Sequence, residues 1–483
     1  MPVKLVKLAA RVMILVVTIV ATIWFFRAYL ARSLPDLEVW HSYEPEAEFH
    51  SKDFPDGVSF AEYRELETRL FDELDAQVYA IATSDGGGRF NRYNKNGVAY
   101  AGDAGQQWNR SFELPVDAAA SGVLFIHGAS DSPYSTLALS RLLHSHGMYV
   151  VSVRLPGNGT IPSGLRDAKL EDWLAITAMG VKQVRSAIGP QLPMYIAGYS
   201  IGAALALNYA LDAVGGGDLE IPDRLFLFSP AIGVTPAARL SSWDLVLSKI
   251  PAFRKFAWLT VEPEFDPYKY NSFAKNAGHI TYLLTESIRA KMSKLATQGA
   301  LSALPPIISF QSLVDSTVRT SVLVDEVYAR LPDNGSELII FDINRANDFE
   351  AFLHDADEHI VDDLAAISTA PFSYTLVTNA SAETIDMVAR FRSAGEEQFT
   401  TTSIGVQWPA SVYSLSHVAL PFAPDDRWYG NNESNEFALG TLAPRGEVSA
   451  LTTPIQRFMR LRYNPFFDYQ AERTLQFCAA CEK

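Results

Sequence analysis

The most continuous apolar segment of the chain lies at its start. Val12 to Phe26 contains no charged residue, and basic residues flank it on both sides, Lys4, Lys7 and Arg11 before it and Arg27 and Arg32 after it. Fifteen residues of helix extend about 22 Å, and Leu8 to Ala10 with the long arginine side chains bring this closer to the ~30 Å hydrocarbon core of a bilayer. The pattern favours an uncleaved membrane anchor within residues 1–34. A cleaved signal peptide and a buried soluble helix are the alternatives.

The charge around this segment predicts its orientation. Three basic residues and the amino terminus precede it, whereas two arginines follow it. The more positive flank of an anchor usually stays in the cytoplasm. We therefore expect a single-pass membrane protein whose body faces the periplasm or the exterior of the cell.

Residues 35–117 contain one clear helical pattern. Seven apolar residues recur mostly at steps of three and four, which is the spacing of one helix face. They are Phe60, Tyr63, Leu66, Leu70, Phe71, Leu74 and Val78. We predict an N-terminal extension over 35–117, in which one amphipathic helix packs on the body or links it to the membrane.

From residue 118 onward, short apolar runs alternate with helical patterns. The runs predict strands at 122–128, 148–155, 193–198, 224–230, 306–312 and 337–343, and the patterns between them predict helices at 133–147, 170–188 and 201–214. Apolar strands that alternate with helices form a mostly parallel sheet with helices on both faces. The predicted fold class is therefore α/β. Ligands of such sheets bind beyond the carboxyl ends of the strands.

Two stretches interrupt this alternation within a domain that we place at 118–440. The first, at about 234–300, is rich in aromatic residues and prolines and predicts a lid over an apolar pocket, or an insertion with its own small core. The second, at about 345–410, predicts an insertion with a strand at 373–379 and a helix from Asp386 to Phe391. Residues 441–483 are expected to be a C-terminal tail, with Cys478 and Cys481 as an exposed pair.

Composition narrows the classes of partner. The net charge is −15 and the pI is near 5.1, which argues against a nucleic-acid partner because such a partner calls for a basic face. The two cysteines have no further Cys or His nearby to complete a zinc site. We expect neither a metal nor an organic cofactor.

A serine between glycines joins a predicted strand to a predicted helix. The segment Gly198-Tyr199-Ser200-Ile201-Gly202 has the G-x-S-x-G pattern. Its glycines permit a sharp turn that exposes the hydroxyl, and the helix N-terminus offers free N–H groups to a developing oxyanion. An ordinary strand-to-helix turn is the alternative. His127-Gly128 ends another predicted strand, so Ala129, the next residue, is expected at the same edge of the sheet as Ser200. The backbone amides of Ala129 and of Ile201, which follows the serine, are therefore the candidate oxyanion donors.

A nucleophilic serine of this kind needs an acid and a histidine further along the chain. Asp315 lies just past a predicted strand, where such an acid belongs, although a helix cap is the alternative. Three histidines follow it: His354, His359 and His417. The first two lie in a strongly acidic stretch typical of exposed chain, so we favour His417. That choice requires the insertion at about 345–410.

Four motifs in this order resemble those of a known family. HGASDSP (127–133), RLPGNGTIPSGL (154–165), LEDWL (170–174) and GYSIGAALALNYA (198–210) are together similar to the carboxylesterase, monoacylglycerol lipase and serine aminopeptidase-like branch of the α/β-hydrolase superfamily. NRSFEL (109–114), DPYKYNSF (266–273) and LSHVALPF (415–422) are most similar to uncharacterised membrane-anchored bacterial members. The resemblance covers about 120–345 and the loop that carries His417.

The resemblance implies the α/β-hydrolase fold, with Ser200 as nucleophile, Asp315 as acid and His417 as base. Two positions depart from the pattern. Asn158 replaces the histidine common in the LPGHGT motif, and Ala203 replaces a frequent second glycine after the nucleophile. Neither position performs acyl chemistry, so these departures concern the substrate rather than the reaction.

Together these features predict a membrane-anchored serine hydrolase that cleaves carboxylic esters through an acyl-enzyme. An apolar lid and a membrane tether favour lipophilic substrates such as lysolipids or monoglycerides. A serine aminopeptidase or a thioesterase would use the same triad. An anchored binding module on a hydrolase fold is the non-enzymatic alternative.

Overall fold

A ten-stranded sheet runs through the body of the protein. The computed structural model describes residues 3–84, 88–104, 107–233, 248–347, 370–432, 437–447 and 450–478. The strands of the main sheet are β1 (Phe112–Leu114), β2 (Ser121–Ile126), β3 (Met148–Val153), β4 (Met194–Tyr199), β5 (Arg224–Phe228), β8 (Ile307–Ser312), β9 (Glu337–Phe341), β10 (Ser373–Asn379), β11 (Asp386–Arg392) and β12 (Thr400–Gln407). Two short strands, β6 (Trp258–Thr260) and β7 (Phe273–Ala274), form a separate two-stranded sheet.

The order across the main sheet is β1-β3-β2-β4-β5-β8-β9-β10-β11-β12. The seven strands from β3 to β10 are parallel, whereas β1, β11 and β12 pair antiparallel with their neighbours. Every residue of β2, β3, β4 and β8 is buried, as the uninterrupted apolar runs of the sequence predict.

Helices cover both faces of this sheet. The α-helices of the described chain are α1 (Val3–Arg32), α2 (Val39–Ser42), α3 (Phe60–Leu74), α4 (Ala80–Ser84), α5 (Leu137–Ser145), α6 (Gly164–Asp167), α7 (Leu170–Ile188), α8 (Ile201–Val214), α9 (Lys275–Thr297), α10 (Thr320–Glu326), α11 (Ile455–Met459) and α12 (Phe467–Phe477). Alternate residues of a strand point to opposite faces. Leu124 and Ile126 accordingly join a core with α7, α8 and α9, whereas Val123 and Phe125 join a core with α5 and α12. The expected α/β architecture is therefore confirmed.

The N-terminal helix α1 contains a segment long and apolar enough to cross a membrane. Lys7–Phe26 spans 20 residues with a mean hydropathy of 2.3, and none of it is buried. At 1.5 Å per residue its length is about 30 Å, which matches the hydrocarbon core. The expected N-terminal apolar helix is thus present. It extends beyond the uncharged segment, Val12 to Phe26, at both ends.

Buried ion pairs join the N-terminal extension to the end of strand β3. Arg154, just after β3, is fully buried; its guanidinium lies 2.9 Å from Glu67 Oε1 and 2.9 Å from Glu48 Oε1. Helix α3 begins with a capping box in which the Ser59 hydroxyl accepts from the Glu62 amide and the Glu62 carboxylate accepts from the Ser59 amide. We call Arg154, Glu48 and Glu67 the Arg154 cluster.

Three expectations about the later part of the chain need correction. Asp386–Arg392, expected as a helix, is strand β11, because it pairs with β10 on one side and β12 on the other. Residues 373–407 therefore extend the main sheet within the proposed insertion. The expected tail contains α12, which packs on the sheet, and Cys478 at its end is buried rather than exposed. Cys481, His354 and His359 lie outside the described residues.

The segment expected to be a lid is only partly separate from the core. Helix α9 packs against α8, and its apolar face (Ile280, Leu284, Ile288 and Met292) belongs to the core that lies on that side of the sheet. Residues 234–247 lie outside the described part of the chain. The described part of this segment, residues 248–300, therefore contributes to the main core.

Candidate active site

Ser200 occupies a strained turn between β4 and α8. Its φ is 57° and its ψ is −116°, a region that non-glycine residues rarely adopt. A Cβ on Gly198 would lie 2.3 Å from the Gly202 carbonyl, and a Cβ on Gly202 would lie 2.1 Å from the Ile126 carbonyl oxygen. Only glycine fits at either position. The sharp turn predicted from the sequence therefore rests on two backbone contacts that exclude any side chain.

Asp315 and His417 meet at the carboxyl edge of the sheet. Asp315 follows β8, and His417 begins a single 3₁₀ turn, His417–Ala419. Nδ1 of His417 lies 2.7 Å from Oδ2 of Asp315, and both side chains are almost fully buried. In a neutral imidazole this contact places the proton on Nδ1 and leaves Nε2 as an acceptor.

Hydrogen bonds hold the Asp315 carboxylate ionised. Burial is the largest influence on its pKa and acts to raise it. His417 and the backbone amides of Thr317 and Val318 act in the opposite direction, and together they keep the pKa below its ordinary value. The two amides donate to Oδ1 over 2.8 and 3.0 Å, and Gln311 Nε2 donates to Oδ2 over 3.2 Å. Asp315 is thus fixed in position and negatively charged.

Ser200 and His417 line the same cavity, whose volume is about 680 Å³. Ser200 is half-buried, and its hydroxyl has no hydrogen-bond partner within the described part of the chain. Contacts between a nucleophile and its base are often long in a resting enzyme and tighten when substrate binds. Apolar side chains make up much of the remaining wall: Ile201, Ala231, Leu259, Phe273, Val318 and Val418.

The candidate oxyanion donors lie on the wall of this cavity. Ala129 follows β2 and Ile201 opens α8, and both line the cavity with Ser200. Neither backbone N–H donates to another acceptor among the described residues. Ile201 also lies at the helix N-terminus, where N–H groups are unpaired and the helix dipole is positive. Two free donors therefore border the space next to the serine.

His127 has a supporting role in the geometry of this edge. Its Nε2 accepts from the Leu155 amide over 2.9 Å, and its Nδ1 donates to the Gly128 carbonyl over 2.7 Å. Burial lowers the pKa of His127 to about 3, so the ring is neutral. It thereby ties the loop after β2 to the loop after β3. A Cβ on Gly128 would lie 3.2 Å from the Ser200 Cβ, so the loop after β2 also approaches the turn between β4 and α8 closely.

Six charged side chains also line the cavity, and four of them lie outside the sequence motifs. Five are basic, Lys269, Lys275, Arg457, Arg460 and Arg462, whereas Asp266 is the one acidic residue among the described lining residues. Asp131 and Glu262, two acidic residues near the motifs, are buried in ion pairs: Lys269 Nζ lies 2.6 Å from Asp131, and Arg457 lies 2.9 Å from Glu262. No sequence motif marks the arginines, because they come more than 35 residues after His417.

The remaining positions singled out in the sequence are structural. Asn158 is fully buried and donates from Nδ2 to the Pro156 carbonyl, and Ala203 is fully buried in α8. Among the described residues, no three side chains of His, Cys, Asp or Glu are grouped so as to hold a metal ion.

Comparison with known proteins identifies the domain. Residues 123–342 match the model of the alpha/beta hydrolase family. Similar solved structures include a metagenome-derived lipolytic enzyme, with 17% identity over 53% of this chain and 97% of that chain and a TM-score of 0.38. The monoglyceride lipase of Saccharomyces cerevisiae has 17% identity over 48% of this chain and 81% of that chain, with a TM-score of 0.35. The monoacylglycerol lipase of Paleococcus ferrophilus has 14% identity over 48% of this chain and 88% of that chain, with a TM-score of 0.36. No curated protein sequence matches the chain. Residues 123–342 therefore form a domain of the alpha/beta hydrolase family, and the chain has the α/β-hydrolase fold.

Proposed function

We propose that this protein is a membrane-anchored serine hydrolase that cleaves carboxylic esters of lipophilic substrates. The observation that carries the proposal is the composition of a single cavity. Among the described residues, its wall includes a strained serine whose hydroxyl makes no hydrogen bond, a histidine held by a buried carboxylate, and two backbone amides that donate to no other acceptor. These are the parts that acyl transfer to serine requires.

The proposed reaction proceeds in two halves. His417 Nε2 takes the proton of the Ser200 hydroxyl as its oxygen attacks the ester carbonyl, and the oxyanion accepts hydrogen bonds from the Ala129 and Ile201 amides. The imidazolium then protonates the leaving alcohol, and an acyl-serine remains. Water, deprotonated by His417, attacks the acyl-serine in the same way and releases the acid. Asp315 keeps the imidazole in the required tautomer and stabilises its positive charge.

Contacts of the anchor helix support a lipophilic substrate. The turn Pro251–Ala257 packs beside α1, where the Trp24 and Phe256 rings are 6.4 Å apart. Lys255 Nζ lies 2.9 Å from the Leu34 carbonyl, just past the helix. Leu259, two residues beyond this turn, is exposed and lines the cavity. The cavity wall at Leu259 thus lies close in the chain to the segment that contacts α1, which suits a substrate drawn from a membrane.

The alternatives with the same triad differ in what they need from the cavity. An aminopeptidase needs a free carboxylate to hold the substrate ammonium. Asp131 and Glu262 are each paired with a basic side chain, and Asp266 lies 3.6 Å from Arg462. This charge pattern favours ester or thioester cleavage over peptide cleavage. Thioesters remain the second candidate, and a binding module without catalysis remains the third.

Labelling with a fluorophosphonate tests the nucleophile. We expect the full-length protein in detergent to be labelled, and Ser200→Ala to lose the label. Ser130→Ala is the matched control, since Ser130 lines the same cavity, and this variant should stay labelled. Label that persists in Ser200→Ala would refute the assignment. A panel of p-nitrophenyl esters, acyl thioesters and aminoacyl amides then separates esterase, thioesterase and peptidase.

Extraction of membranes tests the anchor. We expect the full-length protein to resist both alkaline and high-salt washing, because an integral helix is held by apolar burial rather than by charge. A variant that lacks residues 1–33 should appear in the soluble fraction with its fluorophosphonate labelling intact. Release of the full-length protein by either wash would contradict the anchor, and a shortened mature protein would indicate a cleaved signal.

A further inference from the structure

The catalytic cavity is strongly basic, although the protein as a whole is acidic. The net charge of the chain is −15, yet the described lining residues include five basic side chains and one acidic side chain. A local concentration of one charge in a cleft raises the concentration of oppositely charged ligands there. What matters for binding is which of these cations lacks an internal partner.

Three of the lining cations are neutralised by buried carboxylates. Lys269 pairs with Asp131 at 2.6 Å, and Arg457 pairs with Glu262 at 2.9 Å. Arg462 lies 3.6 Å from Asp266 and also donates to the Arg457 carbonyl over 3.0 Å. These ion pairs fix the positions of the three side chains in the cavity wall, and the charges within each pair largely cancel.

Arg460 differs from them, because no carboxylate lies within 4 Å of its guanidinium among the described residues. Its one hydrogen bond there is a long contact of 3.4 Å to the Thr317 hydroxyl. Burial is the largest influence on its pKa and lowers it; Arg462 and Arg457 act in the same direction, and Tyr199 and Asp315 oppose them. A guanidinium remains charged at neutral pH even so.

Asp315 acts on the pKa of Arg460 through its charge, but its oxygens are already occupied by other donors. Oδ1 accepts from the amides of Thr317 and Val318, and Oδ2 accepts from His417 and Gln311. The charge of Asp315 is also needed to balance the imidazolium that forms during catalysis. Arg460 is therefore a partly desolvated cation on the wall of the cavity with unused donors, and a desolvated charge without a partner is unfavourable.

We propose that Arg460 binds an anionic group, a carboxylate or a phosphate, carried by the ester substrate. This inference rests on the proposed function and narrows its substrate class from lipophilic esters to anionic ones. The planar guanidinium can donate two parallel hydrogen bonds to either group. The apolar part of the wall, with Leu259, Phe273 and Val418, would hold the rest of the substrate.

Matched pairs of esters test the proposal, and two pairs separate the two sources of negative charge. The first pair is p-nitrophenyl hexanoate and p-nitrophenyl hemiadipate, which differ by a carboxylate on the acyl chain. The second is 1-octanoylglycerol and 1-octanoylglycerol 3-phosphate, which differ by a phosphate on the alcohol. For each pair the measured quantity is the ratio of kcat/KM for the anionic ester to that for the neutral ester.

We expect Arg460→Gln to lower this ratio by about 10- to 100-fold for at least one pair, the size of effect of one charge-assisted interaction. Arg460→Lys should retain part of the ratio. Arg330→Gln is the control for a change in net charge, because Arg330 pairs with Glu326 away from the cavity; it should leave the ratio unchanged. The pair that responds identifies which anion, and on which side of the ester, Arg460 binds.

Two outcomes separate a failure of this inference from a failure of the proposed function. If the wild-type protein cleaves neither member of either pair and is not labelled by a fluorophosphonate, the proposed function fails. If it cleaves the neutral esters and Arg460→Gln changes both members of each pair by the same factor, the function stands and the role of Arg460 is overturned. Should Arg460→Gln fail to fold, inhibition of the wild-type protein decides instead. Octyl phosphate should inhibit at least ten times better than octanol, with an advantage that shrinks as salt is added, and equal inhibition would overturn the proposal.

Discussion

His417 Nδ1 lies 2.7 Å from Asp315 Oδ2, although 102 residues separate the two in the chain. Between them the chain forms β9 and β10, which continue the parallel sheet, and then β11 and β12, which add two antiparallel strands. The loop after β12 returns to the edge where β8 ends. The extra strands therefore lengthen the sheet without separating the acid from the histidine.

This contact predicts the kinetic effects of two substitutions. His417→Ala removes the proposed base, and Asp315→Asn removes the charge that fixes its tautomer. We expect each to lower kcat for a p-nitrophenyl ester by about 10³- to 10⁴-fold, with little change in the temperature of unfolding for Asp315→Asn. His354→Ala and His359→Ala are the matched controls and should retain wild-type turnover. Loss of activity in His354→Ala alone would show that the wrong histidine is assigned.

The close backbone contact at Gly202, beside Ser200, predicts that an alanine there destabilises the protein. Gly202→Ala would place a Cβ 2.1 Å from the Ile126 carbonyl oxygen, so the backbone must shift. We expect a loss of about 3 kcal/mol or more in the free energy of unfolding, because backbone cannot move aside as a side chain can. Gly278→Ala is the control: it lies in helix α9, its nearest neighbour would be 3.9 Å away, and helix propensity favours alanine there. Equal effects of the two substitutions, measured by urea unfolding, would contradict this reading of the turn.

Buried histidines predict how stability depends on pH. Burial lowers the pKa of His127 to about 3 and that of His41 to about 4, against 6.5 in the unfolded chain. Between about pH 4 and 6 the unfolded chain therefore binds protons that the folded protein does not, and the free energy of unfolding falls as the pH falls. Each histidine contributes a slope of up to about 1.4 kcal/mol per pH unit.

A variant isolates the part of this slope that belongs to His127. In His127→Asn, urea unfolding at several values between pH 4 and 6 should give a slope smaller than that of the wild type by about 1 kcal/mol per pH unit. Its stability at pH 8 should also be lower, because the Leu155 amide loses its acceptor. An unchanged slope would mean that His127 is protonated in the folded protein.

The Arg154 cluster predicts a large loss of stability on removal of one partner. Arg154→Met leaves the carboxylates of Glu48 and Glu67 buried without a cation. We expect a loss of about 3–5 kcal/mol in the free energy of unfolding and faster proteolysis within residues 35–84. The triple variant Arg154→Met, Glu48→Gln, Glu67→Gln should recover part of the loss, since no unpaired charge remains. A single variant as stable as the wild type would show that the cluster does not hold the extension.

The sequence predicted the central sheet well, and physical reasons explain why. Strands such as β2, β4 and β8 are buried on both faces, so they read as uninterrupted apolar runs bounded by glycine and polar residues. Asp386–Arg392 was harder, because seven residues with scattered apolar positions fit a helix or a strand. Its conformation depends on pairing with β10 and β12, which are not visible in a local pattern.

The candidate site also contains some residues that the sequence predicts and others that it does not. Ser200 and Asp315 follow strands of the sheet, so the rule for strand ends brings them to one edge. His417 could be selected only by elimination among three histidines and by the family resemblance that includes its loop, because no strand-end rule applies to it. The arginines of the cavity could not be predicted, because Arg457, Arg460 and Arg462 reach it through the packing of the last part of the chain on the body. Nothing in their local sequence distinguishes them from exposed basic residues.

The Arg154 cluster also limits how the protein can be divided. The segment that matches the family model, 123–342, contains Arg154, Ser200 and Asp315, but it lacks Glu48, Glu67 and His417. A chain trimmed to that segment would leave the Arg154 guanidinium without its two carboxylates and would lose an edge strand on one side and three strands on the other. We therefore expect the smallest piece able to fold to extend beyond the matched segment at both ends. A soluble version for crystallisation should begin before Glu48 and retain α12, so that the Arg154 cluster and the packing of α12 on the sheet are both kept.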